Sequence, residues 1–143
     1  MTRIVALDPG RSKCGLVLVD REQRCVIEGH VLPADSVLDM LQRWREVDRV
    51  ERLVLGNGTS SRDWCRQLPE DLTITVVDER NTTLRARERY WELWPPRGWK
   101  RLLPSGLRIP PVELDAVAAL VMLESDLGHT LRWSGMPPVR NEL

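Results

Sequence analysis

The chain has 143 residues, enough for one domain with a substantial core and too few for two large lobes. Its 21 basic and 21 acidic side chains cancel, so no global field draws the whole protein onto nucleic acid, and any basic footprint has to be local. Cys14, Cys25 and Cys65 lack the paired spacing of a zinc site, and His30 and His129 lie far apart, which leaves little material for a histidine-based triad and suits a reduced, cytoplasmic setting.

Residues Arg3 to Asp8, Gly15 to Val19 and Cys25 to Leu32 are rich in β-branched residues and separated by turns, the pattern of an antiparallel meander. From Ala34 to Asp48 the spacing becomes helical, with Val37, Leu38, Leu41 and Trp44 on one face. A short strand from Arg52 to Leu55 runs into Gly56-Asn57-Gly58-Thr59, and a helix from Ser60 to Leu68 follows. Thr73 to Val77 is the next strand, Thr82 to Leu93 a helix, Trp94 to Pro111 a loop rich in Pro, Gly and basic residues, and Val112 to Leu127 a last helix. One domain over residues 1 to 127 and a tail from Gly128 to Leu143 are expected. The apolar run Ala116 to Leu123 is too short to span a bilayer and no charged leader precedes an apolar core, so a soluble protein with no membrane partner is expected.

Three antiparallel strands followed by strands joined through helices make an α/β fold with a five-stranded mixed sheet, strand order 3-2-1-4-5, the second strand antiparallel. The first strand is then central, and the C-terminal ends of strands 1, 4 and 5 share one edge, where open sheets of this kind place their sites. Asp8, Gly56 to Thr59 and the Asp78-Glu79 pair all fall there.

Asp8 stands at the mouth of the first hairpin. As Asp-Pro-Gly it serves equally as a plain turn, but a carboxylate beside hydrophobic strands is costly unless a cation pairs with it. Strands 1 and 5 stand roughly 10 Å apart, a gap the longer Glu79 spans better, while Asp78 faces the other way and braces the turn. Glu79 is therefore the preferred ligand and Asp78 the alternative. Asp115 lies one turn into a helix that is apolar on nearly every side, with Glu113 already serving the helix dipole. Three gathered carboxylates repel one another unless cations bind between them. Two Mg²⁺ or Mn²⁺ ions held by Asp8, Glu79 and Asp115 would activate a water and stabilise the leaving oxygen of a phosphodiester, which is a nuclease site.

The element order together with Leu7-Asp8-Pro9-Gly10 and Gly15, Val54-Leu55-Gly56, Val77-Asp78-Glu79-Arg80-Asn81-Thr82-Thr83 with Ala86, and Asp115-Ala116-Val117-Ala118-Ala119 resembles the ribonuclease H-like superfamily. Within it the chain resembles the YqgF/RuvX family, described as Holliday-junction-resolvase-like or pre-ribosomal-RNA nucleases, over nearly the whole chain up to about Leu127. It departs from the family pattern at Ser12-Lys13-Cys14, at Gly56-Asn57-Gly58-Thr59 and at Asn81, and leaves the acids intact. The resemblance implies a divalent-metal nuclease acting on RNA in maturation of the small-subunit ribosomal RNA. RuvC-type resolvases carry two further acids, at positions where this chain has Asn57 and Val112, which weakens a junction-cutting role. That role would also require a homodimer to make paired cuts.

Between Arg80 and Arg101 the cations Arg80, Arg85, Arg87, Arg89, Arg97, Lys100 and Arg101 face only Glu88 and Glu92, a basic face suited to phosphates. Tyr90, Trp91, Trp94 and Trp99 are interleaved, and aromatic rings with arginines suit stacking on unpaired bases. Trp91 is expected in the core and Trp99 exposed. Arg11, Lys13, Asn57, Thr59 and Thr82 complete the candidate substrate contacts. The hairpin also resembles the phosphate loop of actin-like sugar kinases and chaperone ATPases, but one small domain cannot form their cleft, so no nucleotide cofactor is expected. A non-catalytic RNA-binding assembly factor is the remaining alternative.

Overall fold

The computed structural model describes residues 2–58, 60–80, 82–135 and 137. The strands are β1 (Arg3–Asp8), β2 (Lys13–Asp20), β3 (Cys25–Pro33), β4 (Val50–Gly56) and β5 (Thr73–Val77). The helices are α1 (Val37–Val47), α2 (Ser61–Gln67), α3 (Thr82–Leu93) and α4 (Asp115–Leu127). The sheet order is β3-β2-β1-β4-β5, with β2 antiparallel to both neighbours and β1, β4 and β5 parallel, as the sequence predicts.

Alternation along β1 splits the core into two layers. Val5 and Leu7 join Leu16, Leu53 and Leu55 beneath α1 and α2, where Val37, Leu41, Trp44 and Trp64 cover them. Ile4 and Ala6 join Val17, Val19 and Val54 beneath α4. With both faces covered, Ile4 through Leu7 are all 0% exposed, so the end of β1 is held rigidly where Asp8 begins. The small residues of α4 allow close approach to the sheet, and α3 packs on its other side through Ala86 and Tyr90 against Val117 and Val121.

Three local expectations are corrected. The last helix begins at Asp115, not Val112, with Leu114 outside the helical region at φ −97° and ψ 8°. The segment from Trp94 to Pro111 carries two 3₁₀ turns, Gly98–Leu102 and Ser105–Leu107. Finally, the stretch read as a tail comes back against the sheet at Arg132, which bridges Cys25, and at Trp133. Gly128 ends α4 with φ 80°, Leu131 is 2% exposed, and Trp133 lies over Gly29, where a Cβ would stand 2.4 Å from its ring.

This return is latched by an ion pair. Arg89 donates to both carboxylate oxygens of Glu124 (3.0 and 2.9 Å) and to the carbonyl of Leu131, while Glu124 also accepts the Leu131 N–H. Arg89 thus leaves the basic face for a structural role. Replacing it with Ala strands a buried carboxylate, and the expected cost is about 2 kcal/mol, read by urea denaturation.

Candidate active site

The end of β1 meets the start of α4 through one residue without a side chain. Asp8 pairs across the hairpin with Gly15 of β2, and a Cβ on Gly15 would stand 1.8 Å from the backbone oxygen of Asp115. Only glycine lets the first turn of α4 rest on the strand there, and that contact carries Asp115 to the edge where Asp8 ends.

Glu79 arrives from the other side, two residues beyond β5. Its N–H donates to Asn57 Oδ1 (3.2 Å), and its carbonyl accepts from the Thr82 hydroxyl (2.7 Å) and the Thr82 N–H (3.2 Å). Gly56 and Gly58 at the end of β4 make room for its carboxylate: Cβ atoms there would stand 2.4 Å from Oε2 and 2.5 Å from Oε1. So placed, Glu79 hydrogen-bonds Asp8.

Burial, the hydrogen bond with Glu79, and then the negative charges of Glu79 and Asp115 push the Asp8 carboxyl up to about 8. At neutral pH the Asp8 carboxyl is therefore held largely in its protonated form. Glu79 Oε2 is buried without a hydrogen-bond partner among the described residues, as is Glu113 Oε2. The orphaned Glu79 oxygen beside the Asp8 carboxyl fits a divalent cation, which takes oxygen ligands and displaces the Asp8 proton.

Asp115 is held somewhat apart. Lys13 Nζ lies 2.8 Å from Glu113 Oε1 and 3.6 Å from Asp115 Oδ2, an ammonium bridging two acids. Among the described residues no three acidic, histidine or cysteine side chains already enclose a cation position. Asp8 and Glu79 are joined, and Asp115 faces them with Lys13 as its counter-charge.

The other candidates divide plainly. Asp78, the alternative ligand, turns outward to the backbone and side chain of Arg80 (both 2.9 Å), which hold its carboxyl below the usual range. Three of the expected substrate contacts sit against the acids: Lys13 pairs with Glu113 and Asp115, Asn57 anchors Glu79, and buried Thr82 caps the turn behind it. Arg85 donates to Ser125, and Arg87 to the carbonyls of Gly106 and Arg108, so these cations of the expected basic face brace the fold. Arg11, Arg97 and Arg101 are exposed, Lys100 is half-buried and Trp99 is 68% exposed. Trp91 is half-buried against the α3–α4 core. Thr59 and Asn81 lie outside the described residues. Sequence reasoning missed the part of Glu113 in holding Lys13. It also missed the role of Gly56 and Gly58, although Gly-x-Gly directly after a strand is the signal of a close approach.

No family model matches the chain. A Bacteroides fragilis protein named "Putative pre-16S rRNA nuclease" is 26% identical over 146 residues, covering 89% of this chain and 96% of that protein. A Phocaeicola vulgatus protein of the same name is 26% identical over 102 residues, covering 62% of this chain and 73% of its own length. The structure of Thermus thermophilus RuvC matches with a TM-score of 0.54 at 12% identity, covering 90% of this chain and 98% of that one, a likeness of fold. The chain therefore has the ribonuclease H-like fold, and over most of its length it is similar to proteins named as pre-16S rRNA nucleases.

Proposed function

We propose that the protein is a divalent-cation-dependent nuclease that hydrolyses phosphodiester bonds in RNA, with a role in processing the small-subunit ribosomal RNA precursor. The observation that carries this reading is the Asp8–Glu79 pair: two hydrogen-bonded carboxyl groups at the C-terminal edge of parallel strands, with a buried acidic oxygen left unpartnered. RNA is favoured over branched DNA because the curated relatives bear a ribosomal-RNA nuclease name, and Asn57 and Val112 stand where further acids would support junction cutting.

Asp8 and Glu79 would hold Mg²⁺ or Mn²⁺, with Asp115 completing the set. When bound, the cations supply an activated water and charge stabilisation for the leaving oxygen. Asn57 and Thr82 fix the Glu79 backbone, Gly56 and Gly58 admit its carboxylate, and Lys13 offsets the charge of Asp115.

Because Asp8 is pushed up to about 8, it is mostly protonated at pH 7, and ligation requires that proton to leave. Calorimetric titration of Mn²⁺ at pH 7 in buffers of different ionisation enthalpy is expected to show release of about one proton per site, falling toward zero near pH 9.

The reading is tested by offering the purified protein precursor ribosomal RNA, single-stranded RNA, duplex DNA and a four-way DNA junction, each with Mg²⁺ or Mn²⁺. Preferential cleavage of the RNA substrates is expected. Symmetric cuts confined to the junction would replace it with a resolvase, and RNA binding without cleavage in either metal would replace it with an assembly factor.

A further inference from the structure

A cavity of about 500 Å³ opens between the C-terminal end of α3 and the turn Gly98–Leu102. It is walled by Tyr90, Trp91, Trp94 and Pro95, and Arg97 and Lys100 line it as well. No carboxylate lines it, whereas four other cavities of the described residues each include at least one. In a chain with no net charge, this cavity, alone among these five of the described residues, combines aromatic walls with two cations and no acid.

Both indoles that line the cavity are fixed by contacts within the protein. Trp91 Nε1 donates to the carbonyl of Arg108 (3.3 Å) and Trp94 Nε1 to that of Gly135 (2.8 Å), so both indole N–H groups are already satisfied inside the protein. Tyr90 fixes both indoles, with ring centroids 5.0 Å from Trp91 and 5.2 Å from Trp94, and Trp133 meets Trp94 edge-on at 5.2 Å. What Trp91 and Trp94 present to the cavity is rigid, half-buried ring surface with no unsatisfied polar atom to attract a hydrogen-bonding ligand. Ring surface of this kind stacks on any base, and adjacent cations attract the phosphates on either side of it.

We propose that this cavity receives an unpaired nucleobase of a single-stranded nucleic acid, stacked against Trp91 and Trp94, with Arg97 and Lys100 contacting the flanking phosphates. The proposal rests on the nuclease reading and adds where its substrate is gripped. The cavity reaches Pro111, which precedes Asp115 by four residues, so their Cα atoms are at most about 14 Å apart. A base seated there belongs to a strand only a few nucleotides from the acids. A duplex cannot use the cavity, because its bases are already paired and stacked. Trp99 is exposed on the same turn as Lys100.

The test uses the full chain in EDTA, so that binding is read without cleavage. Fluorescently labelled eight-nucleotide RNA, DNA of the same sequence and the corresponding duplex are titrated by anisotropy, with tryptophan emission followed in parallel. Single strands are expected to bind at least tenfold more tightly than duplex and to quench tryptophan emission. The double variant Arg97→Glu, Lys100→Glu is expected to weaken single-strand binding at least tenfold and to reduce the slope of log affinity against log salt by about 1.4, or ~0.7 for each phosphate no longer neutralised. Trp94→Leu, checked for native circular dichroism, should lose most of the quenching. Equal affinity for single strand and duplex, or an unchanged affinity in the charge-reversed variant, would overturn the proposal. Quenching by an apolar peptide, or by residues 138–143 added as a free peptide, with none by the oligonucleotides would also overturn it. Metal-dependent cleavage without single-strand preference would remove the pocket alone, and tight single-strand binding without cleavage would remove only the nuclease reading.

Discussion

Asp8→Asn should lower RNA cleavage by about three orders of magnitude or more while the protein keeps its fold and its affinity for RNA. Asn has the shape of Asp and can hydrogen-bond Glu79, but it brings no charge to a cation. The same substitution makes a second, independent expectation about stability. The folded-state pKa of Asp8 lies above its ordinary 3.8, at about 8, so the protonated form is the one the cation-free fold favours. Its contribution to stability is full below the ordinary value and is lost as pH rises toward about 8. Thermal melts in EDTA should therefore show wild type losing stability across that range relative to Asp8→Asn, with the variant the more stable of the two at pH 8. Cleavage at the wild-type rate would remove Asp8 from the chemistry, and superimposable pH profiles would remove the raised Asp8 carboxyl.

Gly15→Ala, a single methyl group at the hairpin's return strand, should destabilise the fold by about 3 kcal/mol or more. Its Cβ would stand 1.8 Å from the backbone oxygen of Asp115 and 2.7 Å from the nitrogen of Ala116, and no side-chain rotation relieves a clash with backbone. Either β2 bends or α4 lifts from the sheet, and lifting α4 takes Asp115 away from Asp8. Cleavage should fall with stability, and it should stay low at temperatures where the variant is fully folded. Gly106→Ala is the matched control, because a Cβ there meets nothing within 4 Å, and its stability should stay within about 0.5 kcal/mol of wild type. Urea denaturation of the two variants checks both values.

Much of this arrangement is legible in the residue pattern because it rests on local rules. Strand alternation and the helical spacing of Val37, Leu41 and Trp44 place the layers, and the short turns of the meander dictate the antiparallel start of the sheet. Glu79 is separable from Asp78 by reach alone, and the structure turns Asp78 outward onto Arg80 while Glu79 meets Asp8. Side-chain partnerships made across long sequence separations are not legible. A run of arginines reads as a solvated basic face, yet Arg89 is drawn to the buried carboxylate of Glu124, which needs donors, and Arg87 to the carbonyls of Gly106 and Arg108. Lys13, Asn57 and Thr82 likewise read as substrate contacts from composition, and in the fold they hold the acids. Apolar periodicity that continues through Val112 and Leu114 puts the start of α4 a turn early, and the helix begins at Asp115.

The central claim, that Asp8, Glu79 and Asp115 form one cation site, is tested most directly by Mn²⁺ titration of the wild-type protein and of Asp8→Asn, Glu79→Gln and Asp115→Asn, followed by electron paramagnetic resonance of the free ion. Saturable binding in the wild type that weakens at least tenfold in each variant, with circular dichroism unchanged, is the predicted result. Equal Mn²⁺ affinity in wild type and all three variants would contradict the account.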